Sequence, residues 1–256
     1  MDLPRNDFKA RLKKGPHLVG IWNSIPGNTV TEMLAASGFD WVLIDTEHSP
    51  IETAELLPAL QAVAGYPGTS AVVRPYANDT VLIKRVLDMG AQTLLLPYVQ
   101  TRAEAEAAVS AMRYPPQGVR GVAGLTRSSR FGKIPGYAKR ASEELCLIVQ
   151  AETVQAIENL EAIATVDGVD AVFIGPSDLS ASMGYPGEPD HPEVQAKMEG
   201  AYATLKSLDV PFGILSLNEE VCARAMAQGA AFTAVGVDAA LLGRSVDALR
   251  ARFPAG

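Results

Sequence analysis

The chain has 256 residues, 48% hydrophobic and 20% charged, enough to bury a large core as one barrel-sized domain or two smaller ones. A formal charge of −7, with 22 scattered Lys and Arg, excludes a nucleic-acid surface, which calls for clustered cations. The opening MDLPRNDFKARLKKG is polar and basic, and no stretch approaches the roughly 18 uninterrupted apolar residues of a spanning helix, so a cytoplasmic protein without a membrane partner is expected.

Apolar runs rich in Val, Ile and Leu recur in order: LVGIWN (18–23), WVLID (41–45), AVVRP (71–75), TLLLPYV (93–99), LCLIVQAE (145–152), AVFIG (171–175), FGILS (212–216) and FTAVGV (232–237). Their continuous apolarity is what a parallel strand buried on both faces requires. Between them lie amphipathic helical patterns such as TAELLPALQAVAG, DTVLIKRVLDMG and NEEVCARAMAQG, several closed by Gly, where a left-handed stop is cheapest. DAALLGRSVDALRARF supplies the eighth helix. Eight strand-helix repeats predict a single (β/α)8 TIM barrel over residues 1–256, with a doubly wound open sheet as the weaker reading. Two long excursions, 113–142 and 183–192, have the length of lids, binding loops or subunit contacts. Cys146 and Cys222 belong to no CxxC or Cys/His cluster and read as buried thiols in a reducing compartment.

A barrel gathers the carboxyl ends of its strands at one mouth, so residues that follow strands become neighbours. Trp22 and Asn23 close the first strand; Asp45, Glu47 and His48 follow the second; Arg74 closes the third; Gln150 and Glu152 follow the fifth; Ser177 and Asp178 follow the sixth. Glu152 and Asp178 offer carboxylate oxygens without a Cys or second His beside them. That donor set favours Mg2+ or Mn2+ over a structural Zn2+ and leaves coordination positions open for a 2-oxo acid. The same two acids would also suit helix N-termini, where negative charge stabilises the first turn. His48 alone among three histidines follows an apolar strand and can act as general base, with Asp45 or Asp88 as carboxylate partner; the bland alternative is a loop hydrogen bond. Arg74, extended by the following Pro75, can stabilise developing negative charge or simply form a rim ion pair. No lysine ends an apolar strand, so carbon–carbon chemistry through a Schiff base is not expected. No Walker-type loop and no GxGxxG follows a strand, which speaks against nucleotide cofactors.

IDTEHSP (44–50), VVRP (72–75), GAQTLLLPYVQT (90–101), RYPPQGVRGV (113–122), VQAET (149–153), GVDAVFIGPSDLSASMGYPG (168–187) and AVGVD (234–238) together resemble the class II pyruvate aldolases of the citrate lyase superfamily, in order and over nearly the whole chain. The resemblance implies Glu152 and Asp178 as ligands of a divalent cation, Mg2+ or Mn2+ with Co2+ and Zn2+ as alternatives. It implies His48 as base, Asp88 as the group that raises its basicity, and Arg74 as transition-state stabiliser. Gln150, Gly175, Ser177 through its backbone N–H, and Asp178 would contact the pyruvyl part; Trp22, Leu215 and Val237 would line the aldehyde side. It further implies a homohexamer in which the last helix packs on a neighbour, and a place in aromatic compound catabolism. Thr46 and Ser177 depart from the Gly and Ala common at those positions. The expected activity is reversible cleavage of 4-hydroxy-2-oxo acids to pyruvate and an aldehyde through a metal-stabilised enolate. The rivals are a malyl- or citramalyl-type thioester lyase and a non-catalytic 2-oxo acid binding protein.

Overall fold

In a computed structural model that describes residues 1–12 and 15–253, eight parallel strands close into a barrel in sequence order. They are β1 (Leu18–Asn23), β2 (Trp41–Asp45), β3 (Ser70–Arg74), β4 (Thr93–Leu96), β5 (Cys146–Ala151), β6 (Ala171–Ile174), β7 (Phe212–Leu215) and β8 (Phe232–Val237). The helices are α1 (Asp7–Leu12), α2 (Asn28–Ala36), α3 (Leu56–Val63), α4 (Thr80–Asp88), α5 (Arg102–Met112), α6 (Tyr137–Arg140), α7 (Val154–Glu158), α8 (Leu160–Ala164), α9 (Pro176–Ser182), α10 (Pro192–Ser207), α11 (Glu219–Ala227) and α12 (Asp238–Ala251). The open-sheet alternative is thereby excluded.

Two apolar layers explain why the strands carry no polar face. Residues pointing outward, such as Ile44, Val73, Leu94, Val149 and Ile214, pack with the helices. Alternate residues, such as Leu43, Val72, Leu95, Ile148 and Phe173, fill the interior. Gly20 makes the interior possible at its widest side chain: a Cβ there would lie 2.1 Å from Cε2 of Trp41. The lower opening is plugged by α1, an element absent from the sequence expectations, whose Phe8 meets Trp41 and Phe232 edge-on at centroid distances of 5.9 and 5.5 Å. A signal existed in Phe8 and Leu12, an i,i+4 apolar pair on a short polar segment, and both are buried.

Differences from the expected element bounds have local causes. β4 stops at Leu96 because Pro97 follows and Tyr98 adopts a positive φ of 57°. Residues 153–164, TVQAIENLEAIA, carry helical periodicity throughout, yet the helix breaks at Asn159 into α7 and α8. The 113–142 excursion folds over itself with Arg120 fully buried beneath it, its guanidinium 4.4 Å from the Tyr114 ring and 2.7 Å from Asp88.

Candidate active site

Register places the functional side chains. β2 and β3 pair Asp45 with Arg74, so acid and guanidinium leave adjacent strands at the same height and both point into the mouth. A register shift between Gly20 and Trp22 pairs Trp22 with Val237, bringing two distant residues to one wall. Gln150 sits one step below the end of β5 and Glu152 just beyond it, on the same face.

Asp45 and Arg74 form a buried fork: Nε donates to Oδ1 at 2.9 Å and Nη2 to Oδ2 at 2.7 Å. Nη1 reaches Glu47 at 2.9 Å, and the guanidinium lies 5.0 Å from the Trp22 ring, whose Nε1 donates to Asp45 at 3.2 Å. Burial alone would push the Asp45 carboxyl up; the bonds and charge of Arg74, with the Glu47 N–H and Trp22, hold it below its ordinary value. Burial pushes the Glu47 carboxyl up, and Arg74 offsets that only in part. Two of the five Arg74 N–H groups are hydrogen-bonded, both to Asp45, and the Nη1 contact with Glu47 is an ion pair without hydrogen-bond geometry, so Nη1 and the second N–H of Nη2 are left for a ligand.

This arrangement corrects the pairing expected for His48. Asp45 is saturated by Arg74, Trp22 and the Glu47 N–H, and meets only the backbone of His48, at 3.5 Å. The imidazole stands at the exposed rim with Nε2 3.9 Å from Glu47. Asp88 lies at the far end of α4, toward the opposite opening of the barrel, bound to Arg120, and does not meet His48 within the chain. Glu47, an acid between Asp45 and His48 in IDTEH with no role assigned by its position after β2, is the residue that meets both Arg74 and His48.

Glu152 is 2% exposed. It accepts from the Tyr98 N–H at 2.8 Å and from the Gln150 amide. Burial pushes its pKa up to about 7; those two bonds oppose the rise, while the nearby charges of Asp178 and Glu47 add to it. A second buried group, Oε1 of Gln150, has no partner. Gly175, at the start of α9, leaves the space beside them: a Cβ there would lie 2.8 Å from Cβ of Glu152 and 2.9 Å from its Oε2. Among the described residues no three His, Cys, Asp or Glu side chains cluster as metal ligands. The donor set is therefore two mutually repelling carboxylates, one buried against its charge, beside an unmatched amide oxygen; these groups fit a hard divalent cation.

Trp22, His48, Arg74, Gln150, Gly175, Ser177, Asp178, Leu215 and Val237 all line one cavity of about 530 Å3 at the strand ends, and Glu152 adjoins it through Gln150 and Gly175. Asp45 stands behind the lining, bonded to Arg74 and Trp22, and of the predicted site residues Asp88 alone lies away from this group. Tyr98, whose backbone binds Glu152, and Arg244, on the cavity wall, were not anticipated.

A closed parallel barrel with acids, a locked guanidinium and a rim imidazole at its carboxyl end is the architecture of an enzyme. A family model described as HpcH/HpaI aldolase/citrate lyase matches residues 18–244, and the chain belongs to that family. It is an aldolase, a carbon–carbon lyase. A pyruvate aldolase of Rhizobium etli is 58% identical over 253 residues, covering 99% of both chains. A 4-hydroxy-2-oxo-heptane-1,7-dioate aldolase of Escherichia coli is 51% identical over 251 residues, covering 98% of this chain and 95% of that one. The crystal structure of an HpcH/HpaI aldolase/citrate lyase family protein from Burkholderia cenocepacia superposes with a TM-score of 0.93 at 35% identity, covering 97% of this chain and all of the other. No helix among the described residues is long and apolar enough to cross a membrane.

Proposed function

We propose that the protein is a divalent-metal-dependent aldolase that reversibly cleaves 4-hydroxy-2-oxo acids to pyruvate and an aldehyde. The observation that carries this reading is the buried carboxyl group of Glu152, near enough to Asp178 to feel its charge and set behind Gln150 and Gly175, which line a cavity that also holds the Asp45-locked Arg74. The name of the Rhizobium relative supports pyruvate, and that of the Escherichia relative a 4-hydroxy-2-oxo acid, as the molecules handled. Glu152 and Asp178 would hold Mg2+ or Mn2+, with Co2+ and Zn2+ as alternatives. Such a cation supplies Lewis-acid stabilisation of negative charge beside the 2-oxo acid.

The chain's own residues do the rest. Arg74, held flat by Asp45 over Trp22, presents its remaining N–H groups to the oxygen on which charge develops. Gln150 and the backbone of Ser177 orient the pyruvyl carboxylate. His48 takes the methyl proton of pyruvate in the synthetic direction and returns it in cleavage. Trp22, Leu215 and Val237 line the aldehyde side. Asp88 can raise the basicity of His48 only across a contact between two copies, because within one chain Arg120 holds it at the other end of the barrel. The assembly proposed is a homohexamer with the last helix on a neighbour, in the cytoplasm.

The test is exchange of pyruvate methyl protons in deuterated water, followed by NMR on stripped protein with each cation added back. Exchange is expected only with metal, and Arg74→Lys should slow it by about 10²- to 10³-fold, the size of one lost oxyanion donor. Undiminished exchange in excess chelator overturns the metal requirement; no exchange under any condition leaves a binding protein or a thioester lyase in its place.

A further inference from the structure

Two side chains of the mouth have to be cationic at the same moment. Arg74 is permanently charged, and His48 becomes an imidazolium once it takes the methyl proton of pyruvate; both line one cavity, where like charges repel. One carboxylate oxygen stands against both of them. Oε2 of Glu47 lies 2.9 Å from Nη1 of Arg74 and 3.9 Å from Nε2 of His48. That oxygen is buried and accepts no hydrogen bond among the described residues, so what it offers its two neighbours is charge.

The segment that carries Glu47 is fixed. Asp45 Oδ1 accepts from the Glu47 N–H at 3.0 Å, Thr46 donates its N–H and hydroxyl to the Arg74 carbonyl at 3.0 and 2.8 Å, and the Ser49 hydroxyl donates to the Asp45 carbonyl. These bonds tie the turn to the ends of β2 and β3 and hold Glu47 beside both cations. The other charged groups around it are Asp45, Asp178 and Glu152. Asp45 is spent on two hydrogen bonds to Arg74 and meets only the backbone of His48, while Glu152 and Asp178 are the acids assigned to the cation. Among the described residues Glu47 is the acid at ion-pair distance from the imidazole. Burial raises its carboxyl, and Arg74 and His48 both favour its charged form.

We propose that Glu47 is a positioning residue that balances the charge of His48 against Arg74, so that the imidazole can gain a proton beside the guanidinium. It acts through His48 and not on the substrate. The assignment rests on the aldolase reading above, in which His48 is the base, and supplies a carboxylate for that base within one chain.

Two measurements compare the wild type with Glu47→Gln, which keeps the shape and loses the charge. In metal-free protein with labelled histidine, NMR follows the ring signals of His48, identified by their absence from His48→Asn. Without the anion an imidazolium faces Arg74 unopposed, so the His48 titration should move down by about one pH unit, the small end of what an opposite charge at this range does, because the imidazole is largely exposed. In metal-loaded protein the acid limb of pyruvate methyl-proton exchange should move down with it. A His48 titration that stays in place overturns the assignment even where exchange is slower, since a purely structural part for Glu47 lowers the rate without shifting the titration. An exchange rate without any acid limb in Glu47→Gln overturns it too, because the limb was then that of Glu47 itself. A titration that moves while the limb stays removes His48 as the base and, with it, the part of Glu47 in catalysis. If the wild type exchanges no pyruvate protons, the aldolase reading falls, while the His48 titration still decides by itself whether Glu47 balances the imidazolium.

Discussion

A carboxyl kept out of water is destabilising when charged, and Glu152 carries that cost at the centre of the mouth. Its pKa in the folded chain, about 7, lies above the ordinary 4.5. Below pH 4.5 folded and unfolded chains both hold the proton and no stability is lost. As pH rises from there, the unfolded chain ionises first and stability falls, until above about pH 7 the folded chain ionises too and the loss levels off at about 3 kcal/mol. Glu152→Gln removes this titration. In metal-stripped protein with chelator present, the stability of the variant relative to wild type should improve by about 2 kcal/mol between pH 5 and pH 8, read by urea unfolding. A difference that stays flat with pH would show that the carboxyl is not held in its acidic form. At this scale the sequence could name Glu152 but not its state. The burial depends on a glycine 23 positions later, and one of its hydrogen bonds comes from the backbone of Tyr98, which no side-chain pattern reveals.

Among elements, the strands were legible because each is buried on both faces and therefore written almost wholly in apolar residues. The helix pattern beginning at Thr153 read as one piece but forms two, since periodicity persists across the break at Asn159. Register was out of reach. That Asp45 serves Arg74 and not His48 follows from which residues pair across β2 and β3, and local sequence contains nothing about that pairing. The start of α12 shows the same limit: Asp238 appeared only inside AVGVD, yet four donors from the β1 loop converge on it, along with the N–H of Ala239. Asp238→Asn discards the charge and one acceptor oxygen, and should cost about 2 kcal/mol in a urea melt. Amide exchange over 238–245 should accelerate more than in the strands. If protection at the start of α12 is unaltered, this carboxylate does not anchor the helix.

At the scale of the whole molecule, α12 meets β1 and β8 but keeps one face uncovered among the described residues. Along α12 only Asp238 is buried, while Leu242, Val246, Leu249 and, just past its end, Phe253 recur at steps of four, three and four residues and stand 53–69% exposed. That spacing writes a single apolar stripe, the pattern of a helix made to pack, and none of the described residues covers it. Burying such a stripe on a second copy reconciles the sequence of the helix with its surroundings and accords with the proposed hexamer, whose contacts would also give Asp88 its only route to a His48. The substitutions Val246→Lys and Leu249→Lys together place two charges in the stripe while leaving the mouth-facing side and the Asp238 anchor intact. Sedimentation velocity should find the native chain as an oligomer and the double variant mainly as monomer, because an ammonium desolvated at an apolar contact costs more than that contact returns. The unfolding midpoint of the native protein should also climb with protein concentration, as linked assembly requires, and that of the variant should not. An unaltered sedimentation coefficient in the double variant would place the subunit contact on some other face.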